Sequence, residues 1–420
     1  MSAEIIDLPL INKSLPSDWK LLTVDEIKSK VKKSIISGPF GSNISSKYFV
    51  REGVPVIRGN NLSLKIGVRF TDNGFVFITY EKANELNAWA TKDDLVFTAV
   101  GTIGQVGILT GKEKFSRYII SNKQLRVTVD ESLVLPVFAY YWFASETMVD
   151  QIEQRNTGSS VPLINLSVLK SLTIAVPPLG EQKAIASILS SLDDKIDLLH
   201  RQNTTLERMA ETLFRQWFVE EAQEDWKEVP LRDVCSINNG YAFQSETYRE
   251  TGQKIIRTMN FNNHWIEFNS LVYISEELAR SFGKFYLRRN DFLLVMVGAS
   301  LGNFAIVTDD VIPSLQNQNM WCFRSDENIF QHYLNFALRN IINDALNGAS
   351  GSAREFFQKG VFYEIKIQIP PNDLIQKFHN ISESYFSKIE LNRKQIKTLE
   401  NLRDNLLPKL MSGDVRVRDD

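Results

Sequence analysis

The feature that most constrains this chain is a long internal repeat, because two copies of one plan must fold into two similar units. Asp18-Trp19-Lys20 recurs as Asp225-Trp226-Lys227, and Val176-Pro177-Pro178 matches Ile369-Pro370-Pro371. Between these markers, four further segments match in order: residues 38–43 with 239–244, 56–58 with 255–257, 94–101 with 291–298, and 121–124 with 316–319. The shared order predicts two similar domains in one chain.

Within each copy, short runs of β-branched and aromatic residues are broken by Gly, Asn and Asp, a pattern typical of strands and turns. Residues 136–148 and 330–345 are predicted to be helical. Each copy is therefore expected to be a mixed α/β (α+β) domain with a substantial sheet.

A long helix is predicted after each pair of prolines, with core positions spaced alternately four and three residues apart. In the first helix these positions are Ile185, Leu189, Leu192, Ile196, Leu199, Asn203, Leu206, Ala210, Leu213 and Trp217. In the second they are Phe378, Ser382, Tyr385, Ile389, Asn392, Ile396, Leu399, Arg403, Leu406 and Leu410. This heptad spacing favours a coiled coil over a helix that lies on a globular surface.

The two helices can pair within the chain if they run antiparallel, and one register places Asn203 opposite Asn392. Two facing amides satisfy each other and fix the register, whereas one buried amide alone is costly. The same register pairs Leu199 with Ile396, Leu206 with Ile389, Ala210 with Tyr385 and Trp217 with Phe378, and leaves two weak layers, Leu192 with Arg403 and Leu213 with Ser382. An ordinary two-helix core or a zipper between two copies of the chain remains the alternative.

These patterns divide the chain into four predicted parts: a first domain at residues 1–176, a central helix at 177–222, a second domain at 223–369 and a C-terminal helix at 370–420. From Gln182 to Trp217 a helix runs about 50 Å. Helices of that length are predicted to act as a spacer between the domains.

Composition restricts the function less than the repeat does. The formal net charge is −2, which argues mildly against a nucleic-acid binder unless positive charge is gathered on one face. No apolar stretch is long enough to span a bilayer, and the N-terminus lacks the pattern of a secretory signal. We therefore expect a cytoplasmic protein in which Cys235 and Cys322 are two buried thiols rather than a disulfide.

Motifs that carry enzymatic chemistry are missing from the sequence. It has no G-x-x-x-x-G-K-[ST] phosphate loop, no H-E-x-x-H or G-x-S-x-G motif, and no Cys/His spacing typical of a metal site. Gly101-Thr102-Ile103-Gly104 lacks the spacing and the acidic partner of a dinucleotide site. The four histidines are scattered, so the sequence predicts a binding protein without catalysis or a metal.

The repeated pattern resembles the specificity (S) subunit of Type I restriction–modification systems across essentially the whole chain. The resemblance is carried by the duplication, by residues 56–61 and 100–104, and above all by residues 157–182, from Thr157-Gly158-Ser159-Ser160 to Glu181-Gln182. The second copy departs from the pattern, since it lacks the Glu-Gln pair after Pro371 and only loosely repeats the Thr-Gly-Ser loop at residues 348–354.

The resemblance implies two target-recognition domains separated by an antiparallel coiled coil of the family's two conserved helical regions, with pseudo-twofold symmetry. It implies that each domain recognises half of a split, asymmetric site in double-stranded DNA. The implied partners are two methyltransferase subunits, which use S-adenosylmethionine, and two restriction/translocase subunits, which use ATP and Mg²⁺. No cofactor is expected on this chain. A stand-alone two-domain DNA-binding protein, or an enzyme with degenerate motifs, remains the alternative.

Base recognition needs amide or guanidinium groups in loops, so repeated polar loop positions are the predicted DNA contacts. In the first domain they are Ser42, Asn43, Lys47, Arg58, Asn60, Asn61, Arg117, Asn122, Lys123, Gln124, Arg155, Asn156, Ser159 and Ser160. In the second they are Tyr241, Gln244, Arg257, Asn260, Asn262, Asn263, Gln316, Gln318 and Arg354. An Asn or Ser beside Gly commonly builds a turn instead, so about half of these could be structural.

Overall fold

A computed structural model describes residues 15–268, 270–325, 327–348 and 357–417. The chain forms two compact units: a first unit of Met1–Asp197 with Lys397–Asp420, and a second unit of Leu198–Ile396. Each long helix is thus divided between the units near its middle. The four-part division into two domains and two helices stays a prediction.

The helices are the following. They are α1 Val24–Ile27, α2 Tyr80–Leu86, α3 Pro136–Phe143, α4 Glu146–Gln154, α5 Leu166–Ser171, α6 Leu179–Arg215, α7 Glu276–Ala279, α8 Asn328–Gly348, α9 Lys359–Glu364 and α10 Asn372–Met411. A π-helical turn, Gln216–Glu220, continues α6. Within the described residues, no helix is both long and apolar enough to cross a membrane.

The strands of the first unit are β1 Lys20–Thr23, β2 Ile35–Ser37, β3 Val54–Ile57, β4 Val76–Ile78, β5 Trp89–Thr91, β6 Leu95–Thr98, β7 Val106–Ile108, β8 Arg117–Ile120, β9 Gln124–Val127 and β10 Thr173–Val176. Those of the second unit are β11 Lys227–Pro230, β12 Ser236–Asn239, β13 Gln253–Ile256, β14 Phe261–Asn262, β15 Trp265–Ile266, β16 Val272–Ile274, β17 Phe292–Val295, β18 Phe304–Ile306, β19 Ser314–Gln316, β20 Met320–Arg324 and β21 Lys366–Ile369.

The sheets confirm the repeat in most of their strands, although β5 of the first unit and the β14–β15 pair of the second have no counterpart strands. In the first unit the orders are β2-β9-β6-β7 and β4-β3-β8-β5, and in the second they are β12-β20-β17-β18 and β16-β13-β19. Each Asp-Trp-Lys copy leads into a strand that pairs antiparallel with the strand before the prolines, β1 with β10 and β11 with β21. The predicted mixed α/β fold in two similar domains is therefore correct.

The strand register corrects one part of the repeat alignment. Ile57 pairs with Ile120 in the first unit, and Ile256 pairs with Gln316 in the second. A Cβ on Gly38 would lie 1.7 Å from the carbonyl oxygen of Ser121, and one on Gly240 would lie 1.9 Å from that of Asn317. Residues 121–124 therefore correspond to 317–320, one position later than their polar composition suggested.

Aromatic and aliphatic side chains fill the core of each unit. Trp142, Phe138 and Phe97 lie in the first, together with Ile185 and Leu189 of α6. In the second unit, Phe378 of α10 packs against Phe214 and Phe218 at ring distances of 5.9 and 5.2 Å. The long helices are thus part of the domain cores as well as connections between domains. Cys235 and Cys322 are buried and form no disulfide, as predicted.

The predicted antiparallel pairing of Asn203 with Asn392 is confirmed within the second unit, whereas Phe378, predicted to pair with Trp217, packs against the rings of Phe214 and Phe218. Asn392 Nδ2 donates to Asn203 Oδ1 at 2.8 Å, and both side chains are buried. The amides are not completely satisfied, however, because Asn392 Oδ1 is buried without a hydrogen-bond partner among the described residues. The Asn layer therefore fixes the register and retains one costly oxygen.

In the two layers predicted to be weak, Leu192 with Arg403 and Leu213 with Ser382, the next residue of α6 is the buried one. In the first unit, Arg403 donates to the buried carboxylate of Asp193 at 2.9 Å, so Asp193 and not Leu192 faces it. In the second unit, the hydroxyl of Ser382 lies 3.0 Å from His332 Nδ1, and Phe214 is buried where Leu213 was expected. An ideal helix drifts relative to a strict heptad, which explains both one-residue shifts.

Candidate nucleic-acid interface

A cleft of about 640 Å³ opens in the first unit beside the ends of β3, β6, β8 and β9. Its rim carries five exposed residues: Arg58, Asn60, Thr102, Asn122 and Lys123. Its floor is built from buried side chains, among them Thr98, Ser121 and Gln124. The structure thus gathers Arg58, Asn60, Asn122, Lys123 and Gln124 of the predicted set at one place.

Backbone geometry forms one wall of the cleft. Gly101 and Gly104 have φ of 102° and 89°, values that side-chain-bearing residues rarely adopt. The amide of Gly101 donates to the carbonyl of Pro162 at 2.9 Å, which joins this loop to residues 157–163. Asn156 Oδ1 accepts from the amides of Gly158 and Leu163 at 2.9 and 2.8 Å, so the predicted contact Asn156 mainly holds that loop.

The charge of the cleft suits a phosphate backbone. Arg58 and Lys123 supply two cations, and no Asp or Glu is among the side chains that line it. A chain with a net charge of −2 can therefore still offer a locally positive surface. Such a surface supplies sequence-independent attraction to DNA, on which amide side chains can then discriminate bases.

Two of the repeated polar residues, Asn61 and Asn260, are buried and stabilise a turn. Asn61 is fully buried: its Oδ1 accepts from the Arg58 amide at 2.9 Å, and its Nδ2 donates to the carbonyls of Thr71 and Asn73. Asn260 is buried in the corresponding turn of the second unit, where its Oδ1 accepts from the Arg257 amide at 2.9 Å. The prediction that these two contact DNA is corrected, because the repeat preserved them to close a turn.

The remaining predicted residues of the first unit are more widely spread. Ser42, Asn43, Lys47, Ser159 and Ser160 are exposed. Arg117 stacks over Trp89 at 3.9 Å, at the end of β8 opposite the cleft. Arg155 donates to the Ser171 carbonyl at 3.3 Å, and burial lowers the pKa of its guanidinium. The structure therefore does not bring Arg117 and Arg155 to the cleft.

The second unit presents aromatic rings near the corresponding loop. Tyr241 is 40% exposed, and its ring lies 4.5 Å from that of Phe282 and 5.3 Å from that of Phe285. The ammonium of Lys284 lies 4.9 Å from the Phe285 ring, and Gln244 is exposed. Flat rings beside a cation are suited to stacking on bases or sugars.

Several predicted contacts of the second unit have local structural roles. Arg257 donates to the Ser270 carbonyl at 2.6 Å, and Asn262 donates to Glu267 at 2.5 Å. Asn263 has a left-handed backbone, φ 45°, in the turn of the β14–β15 hairpin. Gln316 is buried and donates to the carbonyls of Asn238 and Met320, which corrects its predicted contact with DNA. Gln318 is exposed, and Arg354 lies outside the described residues.

Sequence reasoning missed some members of the interface. Thr98 and Gln105 line the cleft through a hydrogen bond of 2.8 Å between them. Phe40 is 84% exposed beside Asn122, in a second groove of about 580 Å³. Gln105 could have been found, since it directly follows the Gly101–Gly104 loop, but an exposed Phe has no recognisable spacing.

The described side chains offer little for covalent or metal chemistry. Among them, no group of three or more His, Cys, Asp or Glu is placed to hold a metal ion. Burial raises the pKa of the Cys322 thiol well above its ordinary value, which disfavours the nucleophilic thiolate. The arrangement is suited to binding.

A family model described as the Type I restriction modification DNA specificity domain matches residues 16–208 and again residues 223–401. The chain belongs to the Type I restriction–modification specificity subunit family. The two matches coincide with the two copies of the repeat, so each unit is a DNA specificity domain of this family.

Known specificity subunits resemble the chain along most of its length. The MjaIX specificity subunit of Methanocaldococcus jannaschii is 26% identical over 349 residues, which cover 78% of this chain and 79% of that protein. The MjaVIII specificity subunit of the same organism is 22% identical over 300 residues, covering 66% and 70%. The crystal structure of the S subunit from M. genitalium has a TM-score of 0.63 at 18% identity, covering 96% and 97%, and supports the fold.

Proposed function

We propose that this S subunit is the non-catalytic DNA-recognition subunit of a cytoplasmic Type I restriction–modification complex. Each unit recognises one half of a split, asymmetric site in double-stranded DNA, and α6 and α10 determine the gap between the halves. The observation that carries the proposal is the cleft of the first unit, with a rim of Arg58 and Lys123, amide side chains and no lining carboxylate. Family membership supports the same assignment.

The partners are two methyltransferase subunits and two restriction/translocase subunits. In this proposal S-adenosylmethionine, ATP and Mg²⁺ bind those partners and not this chain. The long helices are suited to docking a partner, because their inner faces are buried in the two cores while their outer faces carry polar side chains together with exposed apolar ones such as Leu198, Met209 and Leu391. Purified chain should therefore not modify DNA with S-adenosylmethionine, or cleave it with Mg²⁺.

Methylation mapping tests the proposal directly. Expressed with its methyltransferase partner in a host that lacks other adenine methylation, the chain should produce methylated adenines in one two-part sequence. In gel-shift experiments the assembled complex should bind that sequence specifically, and the chain alone only weakly. Tight specific binding by the chain alone would favour a stand-alone DNA-binding protein, and robust turnover by the chain would exclude a purely recognising role.

A further inference from the structure

We propose that Gln124 determines the base preference at one position of the first half-site. In this inference, which rests on the proposed function, its carboxamide donates to a hydrogen-bond acceptor on the edge of a base that enters the cleft. The inference depends on a hydrogen-bond donor that the fold leaves unused, and on a comparison of the two units at this position.

Gln124 is buried, with 1% of its surface exposed, and it lines the floor of the cleft. Its Oε1 accepts a hydrogen bond from the Ser121 hydroxyl. Its Nε2 is buried and has no hydrogen-bond partner within the part of the chain that the structure describes. A buried donor without an acceptor is costly, and a ligand that brings an acceptor removes that cost.

Neighbouring polar groups on the floor are already satisfied by the protein. The Thr98 hydroxyl donates to Gln105 Oε1 at 2.8 Å, and Gln105 Nε2 donates to the Leu62 carbonyl at 3.2 Å. Nε2 of Gln124 therefore differs from these neighbours in retaining an unused donor. The exposed cations of the rim, Arg58 and Lys123, would hold phosphates while that donor meets a base.

The second unit shows that the fold does not require an amide here. Gln124 pairs with Thr98 across β9 and β6, and Met320 pairs with Val295 at the same place across β20 and β17. Methionine and valine fill these positions without a conventional hydrogen-bond donor. The carboxamide is thus a property of the first unit alone, as expected for a residue that distinguishes one half-site from the other.

The orientation of the carboxamide selects the chemistry of its ligand. Because Oε1 is engaged by Ser121, the group acts as a donor towards the cleft. Acceptors on base edges in the major groove are N7 of both purines, O6 of guanine and O4 of thymine, whereas cytosine presents an amino donor. We therefore expect discrimination against cytosine at the position that faces Gln124.

The test uses the assembled complex with its methyltransferase and a duplex library in which each position of both half-sites is randomised in turn. Gln124→Met, which copies the second unit, should reduce discrimination at one position of the first half-site about tenfold. All other positions, and the whole second half-site, should keep their preferences. Gln124→Glu should move the preference at that position towards a base with an amino donor, such as cytosine.

The matched control is Gln151→Met, which makes the same substitution at another buried glutamine of the first unit, one that lies on α4 and does not line the cleft. This variant should keep the base preference at the affected position. If Gln124→Met lowers affinity for all sequences equally, or if Gln124→Glu leaves the preference unchanged, Gln124 is structural and the inference fails. If Gln124→Met does not assemble, the outcome for the nearly isosteric Gln124→Glu decides. A wild-type complex without any sequence preference would instead contradict the proposed function itself.

Discussion

The two units solve the same packing problem with different chemistry. Asp94 and Asp291 occupy corresponding turns and accept from the amides of Thr91 and Arg288. Arg126 pairs with Asp94, whereas Arg324, which lies at the place of Thr128, pairs with Asp291. The buried carboxylate has kept an arginine partner although the arginine stands at a different strand position. Both units therefore supply a positive charge to the buried carboxylate, but from different positions of the strand.

The helix layers show the same difference more strongly. In the first unit the buried pair is Asp193 with Arg403, and the corresponding residues of the second unit are Phe386 and Ala210, also buried. An ion pair in the first unit thus corresponds to two buried apolar side chains in the second. Both fill the layer, but only the ion pair leaves a buried charge behind when one partner is removed.

The largest expected effect is on this layer. Asp193→Ala should lower the free energy of unfolding of the first unit by about 3 kcal/mol, because it leaves the buried guanidinium of Arg403 with only the half-exposed Asp404 as its partner and removes the acceptor of Tyr141. Denaturant unfolding followed by fluorescence measures the loss. The double variant Asp193→Phe with Arg403→Ala, which copies the second unit, should be more stable than Asp193→Ala. If Asp193→Ala were as stable as wild type, the buried ion pair would contribute no more to stability than the apolar layer of the second unit.

The next effect concerns the Asn layer, whose counterpart in the repeat is the apolar pair Leu199 and Ile396. Asn203→Leu alone should cost about 1–3 kcal/mol, because it leaves the Asn392 amide buried without its acceptor. The double variant with Asn392→Leu should recover that loss in thermal and chemical unfolding. If the double variant is no more stable than Asn203→Leu, the Asn pair contributes directly to the free energy of unfolding and does not serve only to fix the register.

Two corresponding arginines should separate DNA binding from stability. Arg58 is exposed at the cleft, whereas Arg257 is held by the Ser270 carbonyl. Arg58→Ala should weaken DNA binding of the assembled complex about tenfold, and lower its salt dependence by about one ion, without changing the melting temperature. Arg257→Ala, unlike Arg58→Ala, should lower the melting temperature, because it removes the hydrogen bond to the Ser270 carbonyl. Unchanged affinity for Arg58→Ala would remove that residue from the interface.

The smallest effect is a pH dependence. Hydrogen bonds from His332 and Arg289 hold the pKa of Glu383 well below its ordinary value of 4.5. A lowered folded-state pKa adds stability above the unfolded-state value, and that stability is lost as pH falls through the folded-state value. Glu383→Gln should therefore cost about 1 kcal/mol at neutral pH, and the difference from wild type should shrink below pH 4.5.

Asp194 of the first unit is the matched comparison for Glu383. Burial opposes ionisation there, but the hydrogen bond and charge of Arg69 outweigh it and lower the pKa. Because the Asp194 side chain is 51% exposed, solvent screens the interaction. Asp194→Asn should show the same pH trend with a smaller amplitude in the same unfolding series. An equal or larger amplitude would mean that burial does not govern the difference between the units.

Local and periodic features were predictable from the sequence. The duplication, the mixed fold, the two helices after the prolines and the contact of Asn203 with Asn392 all follow from spacing, because hydrophobic periodicity and turn chemistry act within short stretches. The candidate site was predictable only in part. Arg58 and Lys123 reach the cleft, but Asn61 and Asn260 close turns, and a repeated Asn has the same sequence signal in either role.

By itself, the sequence determined that this chain is a duplicated specificity subunit whose two long helices pair through an Asn layer. Only the tertiary structure decided that Asp193 faces Arg403, that residues 121–124 correspond to 317–320, and that Gln124 lies on the floor of a positively charged cleft. The physical reason is distance along the chain. Periodicity is a local property, whereas burial and hydrogen-bond partners depend on which remote strands and helices come together.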